Sequence, residues 1–265
     1  MAEKNESIYA FDYSMICDYF SLLNRQGPGS PAATLRALEF IEGPDGQPLT
    51  VSGVPVQLAD IGCGTGGQTM ILAEHTTARI TGLDLSPQFI DLFNRNAESL
   101  GFQNRVHGVN GTMEKLPFER DSIDVIWGEG SIAHIGFERG IREWKTVLKT
   151  GGYIAVTDAT WFTDERPDEI ETFWNDSYPE IGTTAEKIAQ LQTAGYKPVA
   201  AFALPENCWT DNYFVPAVDA RRQFLERRAG DKAAEAFIRF QEHEAELYEK
   251  YKQYYGYVFY IGKKL

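Results

Sequence analysis

Residues 58–69 read LADIGCGTGGQT, and this stretch decides the fold. An apolar run ends at Asp60, small residues follow, and helix-forming residues begin near Gln68. A strand, a tight turn and a helix in that order build the nucleotide-binding corner of many α/β proteins. Glycines in such a turn allow positive φ angles and let a ligand approach the backbone. The stretch therefore predicts a nucleotide ligand at the start of a helix.

Two glycine patterns overlap in this turn, and they predict different ligands. Residues 62–67 satisfy G-x-G-x-x-G, a fingerprint of dinucleotide binding. Residues 60–66 satisfy acid-x-G-x-G-x-G, with Asp60 as the acid. A carboxylate there would repel the pyrophosphate of a nicotinamide dinucleotide, but it would attract the α-ammonium of an amino-acid moiety. The second pattern therefore favours a nucleotide that carries an amino acid.

Short apolar runs alternate with helical periods on both sides of the turn. Ser86 and Pro87 predict a helix start, and Gly101 predicts the end of that helix. We predict strands at 56–60, 79–84, 105–110, 123–127 and 153–159, and helices from 68, at 87–100 and at 137–149. This alternation predicts a parallel sheet with helices on both faces.

The ends of the chain depart from this rhythm. Helices are predicted at 11–24 and, after Ser30 and Pro31, up to Gly43. Two more, around 217–228 and 231–254, separate a strand at 197–204 from one at 256–264. We interpret the N-terminal helix and this late pair as a cap over the carboxyl ends of the strands, where ligands bind in open α/β sheets. The alternative is that they only cover one sheet edge.

The composition excludes several classes of partner. The 265 residues carry a formal net charge of −13, which disfavours binding to nucleic acid or to anionic lipid. No apolar run is long enough to span a bilayer, and the N-terminus lacks the pattern of a secretory signal. Three widely spaced cysteines predict reduced thiols, and no ligand spacing predicts a metal site. We therefore expect a cytoplasmic protein that contains no metal.

Three further motifs surround the glycine turn. Asp84 ends the second strand about 20 residues after the glycines, where a carboxylate can bind the two hydroxyls of a ribose. The loop GTMEKLPF at 111–118 can clamp the edge and face of an adenine. The fourth strand, in IDVIWGEG, delivers Glu129 to the floor of the same pocket.

Together these motifs resemble those of class I S-adenosylmethionine-dependent methyltransferases. The matching segments are residues 60–66, 82–86, 111–118 and 124–127, and they occur in the order and spacing of that family. The similarity spans roughly residues 55–160 and points to the group that methylates small molecules. The flanking stretches RQGPGSP, GFERG, WFTDERP, ENCWT and YYGYVFYIG resemble a subgroup of bacterial methyltransferases, some of them related to antibiotic biosynthesis.

The resemblance implies a fold and a division of the chain. The expected fold is a Rossmann-like, seven-stranded, mostly parallel, doubly wound sheet with an antiparallel last strand and a helical cap. We expect residues 1–50 to supply cap helices, 51–160 to bind S-adenosylmethionine, and 161–265 to complete the sheet and carry the inserted cap helices. The whole forms one continuous domain in this interpretation.

The resemblance also implies contacts with the methionine end of the cofactor. Three glycines approach it: Gly62, Gly64 and Gly66. Asp60 bears on the ammonium group, directly or through water, and Glu129 lies near the sulfonium. Gln26 and Gly29 of the RQGPGS turn close over the carboxylate.

At the nucleoside end the resemblance implies four contacts. Asp84 binds the ribose diol and Leu85 packs on the adenine. Thr112 and Met113 meet the edge of the adenine, the latter through its backbone. Many relatives carry Asp or Ser in place of Thr112.

Methyl transfer from a sulfonium is an in-line displacement, so the protein mainly aligns the reactants and excludes water. A general base is needed only when the acceptor loses a proton. The catalytic candidates are Glu129 and His134, followed by the N-terminal tyrosines Tyr9, Tyr13 and Tyr19. His134 could instead be a capping or surface residue.

Aromatic residues in the cap favour a small aromatic or amine acceptor, and the cap helices could also support an oligomer. The competing hypotheses are an NAD-dependent oxidoreductase and a non-catalytic nucleotide-binding module.

Overall fold

The structure is a computed structural model that describes residues 8–265, except for the side chain of Tyr9. Residues 1–7 of the predicted cap segment and the Tyr9 side chain lie outside the described part. The helices are α1 Tyr13–Phe20, α2 Pro31–Leu38, α3 Gly67–His75, α4 Pro87–Ser99, α5 Phe137–Trp144, α6 Asp168–Ser177, α7 Thr184–Thr193, α8 Val215–Arg227 and α9 Lys232–Tyr251. The strands are β1 Gln57–Ile61, β2 Arg79–Asp84, β3 Val106–Asn110, β4 Ile123–Gly128, β5 Leu148–Trp161, β6 Gly182–Thr183, β7 Tyr196–Ala203 and β8 Tyr255–Lys264.

The strands form one sheet in the order β3-β2-β1-β4-β5-β8-β7. Strands β1 to β5 pair in parallel, and β8 is antiparallel to both β5 and β7. The predicted parallel sheet with an antiparallel last strand is confirmed. An eighth strand, the two-residue β6, pairs with the end of β5. The strand order reverses between β1 and β4, which is where open α/β sheets form their ligand crevice.

Local sequence signals position the helices that flank this crevice. The Ser86 hydroxyl accepts a hydrogen bond from the Phe89 amide, with Pro87 in the first turn of α4. Ser30 accepts in the same way from Ala33, with Pro31 in the first turn of α2. Both predicted starts are confirmed, and each hydroxyl satisfies an amide that the helix leaves unpaired.

The helix predicted at 137–149 was too long. Helix α5 ends at Trp144, and β5 already begins at Leu148. The carbonyl of Val147 accepts bonds from the amides of Ser122 and Ile123, so pairing with the sheet replaces the last helical turn. Tertiary hydrogen bonds here override a local helical pattern.

The helix predicted at 11–24 is also shorter, because α1 ends at Phe20. The side-chain amide of Gln26 donates to the carbonyls of Phe20 and Leu23, at 3.2 and 2.8 Å. It satisfies acceptors that the end of the helix leaves unpaired, and the chain then turns towards α2.

Helix α1 packs against α8 and α9 through buried aromatic residues. The Tyr19 ring lies 5.5 Å from Phe224 and 5.3 Å from Phe237, both nearly edge-on. This cluster joins the N-terminal helix to the late pair, as the predicted cap requires. Within residues 8–265, no helix is long and apolar enough to cross a membrane. The division of the chain at residues 50 and 160 stays a prediction.

Candidate active site

A cavity of about 500 Å³ lies at the carboxyl ends of β1, β2 and β4, beside α1. It gathers most of the residues that the sequence singles out. The predicted site residues that line it are Gln26, Gly62, Gly64, Asp84, Leu85, Thr112, Met113, Glu129 and His134. Four predicted residues do not line it: Asp60, Gly66, Gly29 and the candidate base Tyr19.

The glycine turn requires glycine because its backbone is left-handed and neighbouring side chains approach it closely. Gly62 and Gly64 have φ angles of 74° and 54°. A Cβ at Gly64 would collide with the side chain of Gln26, and one at Gly62 would collide with Ser131. Gly66, at φ 91°, serves the packing behind the turn instead, since a Cβ there would lie 2.8 Å from Met70 and 2.9 Å from Phe93.

Asp60 is fully buried behind the turn and does not reach the cavity. One carboxylate oxygen accepts bonds from Thr69, at 2.5 Å, and from Gln68, at 3.0 Å. The other, Oδ1, has no hydrogen-bond partner among residues 8–265. Burial raises the pKa of Asp60 to about 7. Gln68, which donates to Asp60, does line the cavity, and a contact of Asp60 with an ammonium group, directly or through another group, stays a prediction.

We expect Asp60→Asn to change how stability depends on pH. Native Asp60 keeps its proton up to about pH 7, whereas its ordinary pKa is 3.8. Between those values the native state binds more protons, so this residue's contribution to the free energy of unfolding falls as the pH rises. The variant lacks this titration and should gain about 3 kcal/mol relative to the wild type between pH 4.5 and 8.

Urea unfolding of both proteins at those two pH values measures the difference. The buried Asp158 has a raised pKa as well, but it is common to both proteins and cancels. A constant difference across the range would mean that Asp60 is already ionised at pH 4.5.

Asp84 lies at the end of β2 and faces the cavity. Its two carboxylate oxygens accept bonds from the amides of Ser86, at 2.9 Å, and Gly64, at 3.0 Å. Burial raises its pKa, although these amides counter the effect. Each oxygen keeps a lone pair for a ligand hydroxyl. The next residue, Leu85, is 58% exposed, which leaves an apolar surface beside the carboxylate.

Thr112 and Met113 form the opposite wall. The Thr112 hydroxyl accepts a bond from the amide of Glu114, at 3.2 Å, and so shapes its own loop. The Met113 carbonyl accepts from the Trp144 indole, at 3.0 Å. These bonds fix the loop, and the roles of both residues towards adenine stay predictions.

Glu129 forms a buried ion pair with Arg25, a residue that the sequence analysis missed. The carboxylate also accepts bonds from Thr34, at 2.7 Å, and from Trp127, at 3.0 Å. The Arg25 and Glu129 side chains are 10% and 1% exposed, and both line the cavity. The Arg25 Nε is buried without a partner in the described residues. Arg25 is the single charged residue of the turn RQGPGS, and this charge is the sequence feature that could have identified it as a site residue.

In this structure Gln26 and Gly29 form hydrogen bonds with other residues of the protein. Gln26 accepts a bond from the Thr65 amide at 3.1 Å and donates to the Thr65 hydroxyl at 3.1 Å, so it fastens the end of α1 to the glycine turn. Gly29 donates to the carbonyl of Cys208 at 3.2 Å, and a side chain there would collide with Arg25. Their predicted contact with a ligand carboxylate stays untested, and Arg25 supplies the nearby positive charge.

His134 follows β4 and opens into the cavity. The surrounding protein displaces water from the imidazole and thereby lowers the pKa of His134, which favours the neutral form near pH 7. Tyr13 also lines the cavity, but burial raises its pKa and keeps the phenol protonated. Tyr19 lies in the core of the cap, with no exposed surface. His134 is therefore the candidate base best suited to accept a proton.

The chain is similar to known proteins at two levels, a matching sequence segment and a shared fold. Residues 59–156 match the family model of a methyltransferase domain, which spans the glycine turn, Asp84, the 111–118 loop and Glu129. Over 115 residues the chain is 31% identical to the sarcosine/dimethylglycine N-methyltransferase of Aphanothece halophytica. That alignment covers 43% of this chain and 41% of the relative, so the chain spans less than half of the relative's length.

Solved structures extend the similarity to the whole fold. A methyltransferase of Geobacter sulfurreducens, crystallised with S-adenosylhomocysteine, superposes with a TM-score of 0.79, covering 96% of this chain and 99% of that one at 21% identity. The [4+2]-cyclase SpnF superposes with a TM-score of 0.66, covering 88% and 81% at 23% identity. The family resemblance and the Rossmann-like fold are confirmed, but the second neighbour means that the fold alone does not specify a reaction.

Proposed function

We propose that this chain, whose residues 59–156 match the family model of a methyltransferase domain, binds S-adenosylmethionine and transfers a methyl group to a small-molecule acceptor. The observation that carries this is the cavity in which the left-handed glycine turn, Asp84 and Leu85 meet Arg25 and Glu129. When bound, the cofactor supplies an electrophilic methyl carbon: an acceptor lone pair bonds to that carbon as the carbon–sulfur bond breaks and its electrons return to sulfur.

The residues that are present fit the two ends of this cofactor. Asp84 would accept bonds from the ribose hydroxyls while the exposed Leu85 covers the adenine. The guanidinium of Arg25, which lines the cavity, would donate to the methionine carboxylate, with Glu129 holding the guanidinium in place. Gln68, whose side-chain nitrogen donates to Asp60, would turn its side-chain oxygen towards the ammonium.

The chain contributes alignment and, where the acceptor requires it, proton removal. Orienting two reactants in a closed site can supply about 7–11 kcal/mol of the barrier. His134 would accept a proton from the acceptor, because its neutral imidazole faces the cavity. Glu129, which three donors already engage, would position Arg25 rather than take the proton.

The setting proposed for this activity is the cytoplasm. The three free, buried cysteines suit a reducing compartment. The net charge of −13 disfavours binding to nucleic acid and to anionic lipid, so neither is proposed as a partner. Among residues 8–265, no group of His, Cys, Asp or Glu is placed to hold a metal ion. Self-association through the cap helices stays a prediction.

Isothermal titration calorimetry with S-adenosylhomocysteine, S-adenosylmethionine and NAD tests the proposal. We expect both adenosyl ligands to bind in the micromolar range or tighter and NAD to bind at least 100-fold more weakly. Tight binding of NAD alone would instead favour the oxidoreductase hypothesis.

We expect Asp84→Asn to weaken binding of S-adenosylhomocysteine by about 10- to 100-fold, since a carboxylate that accepts two ribose bonds loses charge and one acceptor. Asp91→Asn is the matched control, because Asp91 is exposed on α4 one helix turn beyond the same strand end. Calorimetry of the two variants measures the effect. Equal affinities would place the ribose away from Asp84.

A further inference from the structure

The loop at 111–118 borders two cavities. Met113 and Glu114 line the cavity proposed for the cofactor, and they also line a second, open cavity of about 360 Å³. Trp144, the last residue of helix α5, lines the second cavity but not the first. Because Met113 borders both spaces, core packing holds the loop only in part at this point, and hydrogen bonds are needed to fix its position.

Side chains of helix α5 donate hydrogen bonds to this loop. The indole nitrogen of Trp144 donates to the carbonyl of Met113 at 3.0 Å. Arg139 donates to the carboxylate of Glu114, also at 3.0 Å, but these two side chains are 43% and 60% exposed. Water and salt weaken such an exposed pair. Trp144 has no exposed surface, so its bond is the firmer link between the helix and the loop.

The Trp144 ring is held in place by the core. It belongs to a buried cluster with Ile126 of β4 and Ile141 of its own helix, both without exposed surface. Its nitrogen is therefore a fixed donor, and the carbonyl that accepts from it has a preferred direction. Since Trp144 does not line the cavity proposed for the cofactor, its effect on a ligand there passes through Met113.

The hydrogen bonding continues from the Met113 carbonyl to Thr112. That carbonyl and the amide of Glu114 belong to the same planar peptide group. The Glu114 amide donates to the Thr112 hydroxyl at 3.2 Å. One peptide group thus joins the buried indole of Trp144 to a residue that lines the cavity. Hydrogen bonds that are linked in this way polarise and strengthen one another.

The two residues that this chain of bonds orients are suited to the edge of adenine. The Met113 amide, the contact expected at the base, can only donate, and N1 of adenine accepts. The Thr112 hydroxyl gives one lone pair to the Glu114 amide, so its second lone pair can accept from the exocyclic amine of the base. Hypoxanthine carries a hydrogen on N1 and an oxygen in place of that amine, so its edge opposes the Met113 donor.

We propose that Trp144 is a positioning residue for the adenine of S-adenosylmethionine, and that its indole N–H makes the site selective for adenine over hypoxanthine. This inference rests on the proposed function, because it takes the base to lie at Thr112 and Met113. It assigns a role in cofactor selectivity to a residue that acts from the core, 31 positions from the carbonyl that it holds.

The test compares S-adenosylhomocysteine with S-inosylhomocysteine, which differs only in carrying hypoxanthine. By calorimetry we expect the wild type to bind the adenosyl ligand at least 30-fold more tightly. Trp144→Phe should weaken binding of the adenosyl ligand about tenfold and change binding of the inosyl ligand less than about twofold, because the inosyl ligand does not form the bonds that are lost. Trp144→benzothienylalanine, in which sulfur replaces the indole N–H, keeps the ring shape and should act in the same way.

Trp161→Phe is the matched control, because Trp161 is a buried tryptophan of β5 that lines neither cavity. It should leave the ratio of the two affinities unchanged. A wild type without the preference, or equal losses for both ligands in Trp144→Phe, overturns the positioning role and leaves the proposed function standing. Failure of the wild type to bind S-adenosylhomocysteine overturns both. If Trp144→Phe does not fold, an unchanged ratio in Trp144→benzothienylalanine rejects the inference.

Discussion

Replacing Gly64 with alanine is expected to lower the affinity for S-adenosylhomocysteine by at least about 100-fold. A residue with a Cβ pays about 1–2 kcal/mol for the left-handed backbone at φ 54°. The new methyl group would also collide with Gln26, whose amide joins the end of α1 to Thr65. Because Gly64 lines the cavity and donates to Asp84, any movement of the turn also displaces the ribose carboxylate.

Gly101→Ala is the matched control for this substitution. Gly101 has a φ of 78°, but a Cβ there would meet no atom of residues 8–265 within 4 Å. Gly101→Ala introduces the same kind of backbone strain, so this variant should lose stability without losing affinity for S-adenosylhomocysteine. Calorimetry with S-adenosylhomocysteine and urea unfolding separate the two effects. If both variants lose affinity equally, the glycine turn does not form the ligand site.

Replacing Arg25 with methionine is expected to destabilise the protein by about 3–5 kcal/mol, because Glu129 is then a buried carboxylate without its cation. Glu129→Gln should cost a similar amount for the converse reason. Affinity for S-adenosylhomocysteine should fall with Arg25→Met as well, since the proposed partner of the carboxylate is lost.

The double variant, Arg25→Met with Glu129→Gln, separates these effects. Neither buried charge remains, so the free energy of unfolding should recover part of the loss and the two changes should not add. The affinity should not recover, because no guanidinium is present to bind the ligand. Strict additivity in urea unfolding would mean that the two side chains do not interact, and recovered affinity would assign the ligand carboxylate to another residue.

The sequence predicted the features that local chemistry determines. The glycine turn, the Ser30 and Ser86 caps and the position of Asp84 follow from the residues within a few positions of each. The parallel sheet was predicted from the alternation of strand-like and helical segments. The carboxyl ends of its parallel strands lie at one edge, as expected.

Features that depend on distant residues could not be predicted in the same way. Arg25 and Glu129 are 104 positions apart, and no local pattern pairs them. Gln26 could be placed near the ligand, but the structure engages its amide with Thr65 and the end of α1. Helix α5 is shorter than its pattern because Val147 pairs with the neighbouring strand.

The burial of Asp60 is the most instructive of these differences. Its sequence position indicates the ligand, but Thr69 and Gln68 fold over the carboxylate and separate it from the cavity. Both residues belong to the helix that follows the turn, and the other carboxylate oxygen, Oδ1, has no partner among residues 8–265. The predicted preference for an amine over a diphosphate would therefore have to act through Gln68, which lines the cavity.

A crystal structure with S-adenosylhomocysteine bound tests the central claim most directly. We predict the ribose hydroxyls within hydrogen-bonding distance of Asp84, the amino-acid end over residues 62–64 with its carboxylate at Arg25, and the sulfur directed towards Gly130 and the cap. A ligand bound elsewhere, or a diphosphate of NAD lying across the glycine turn in a parallel soak, would contradict it.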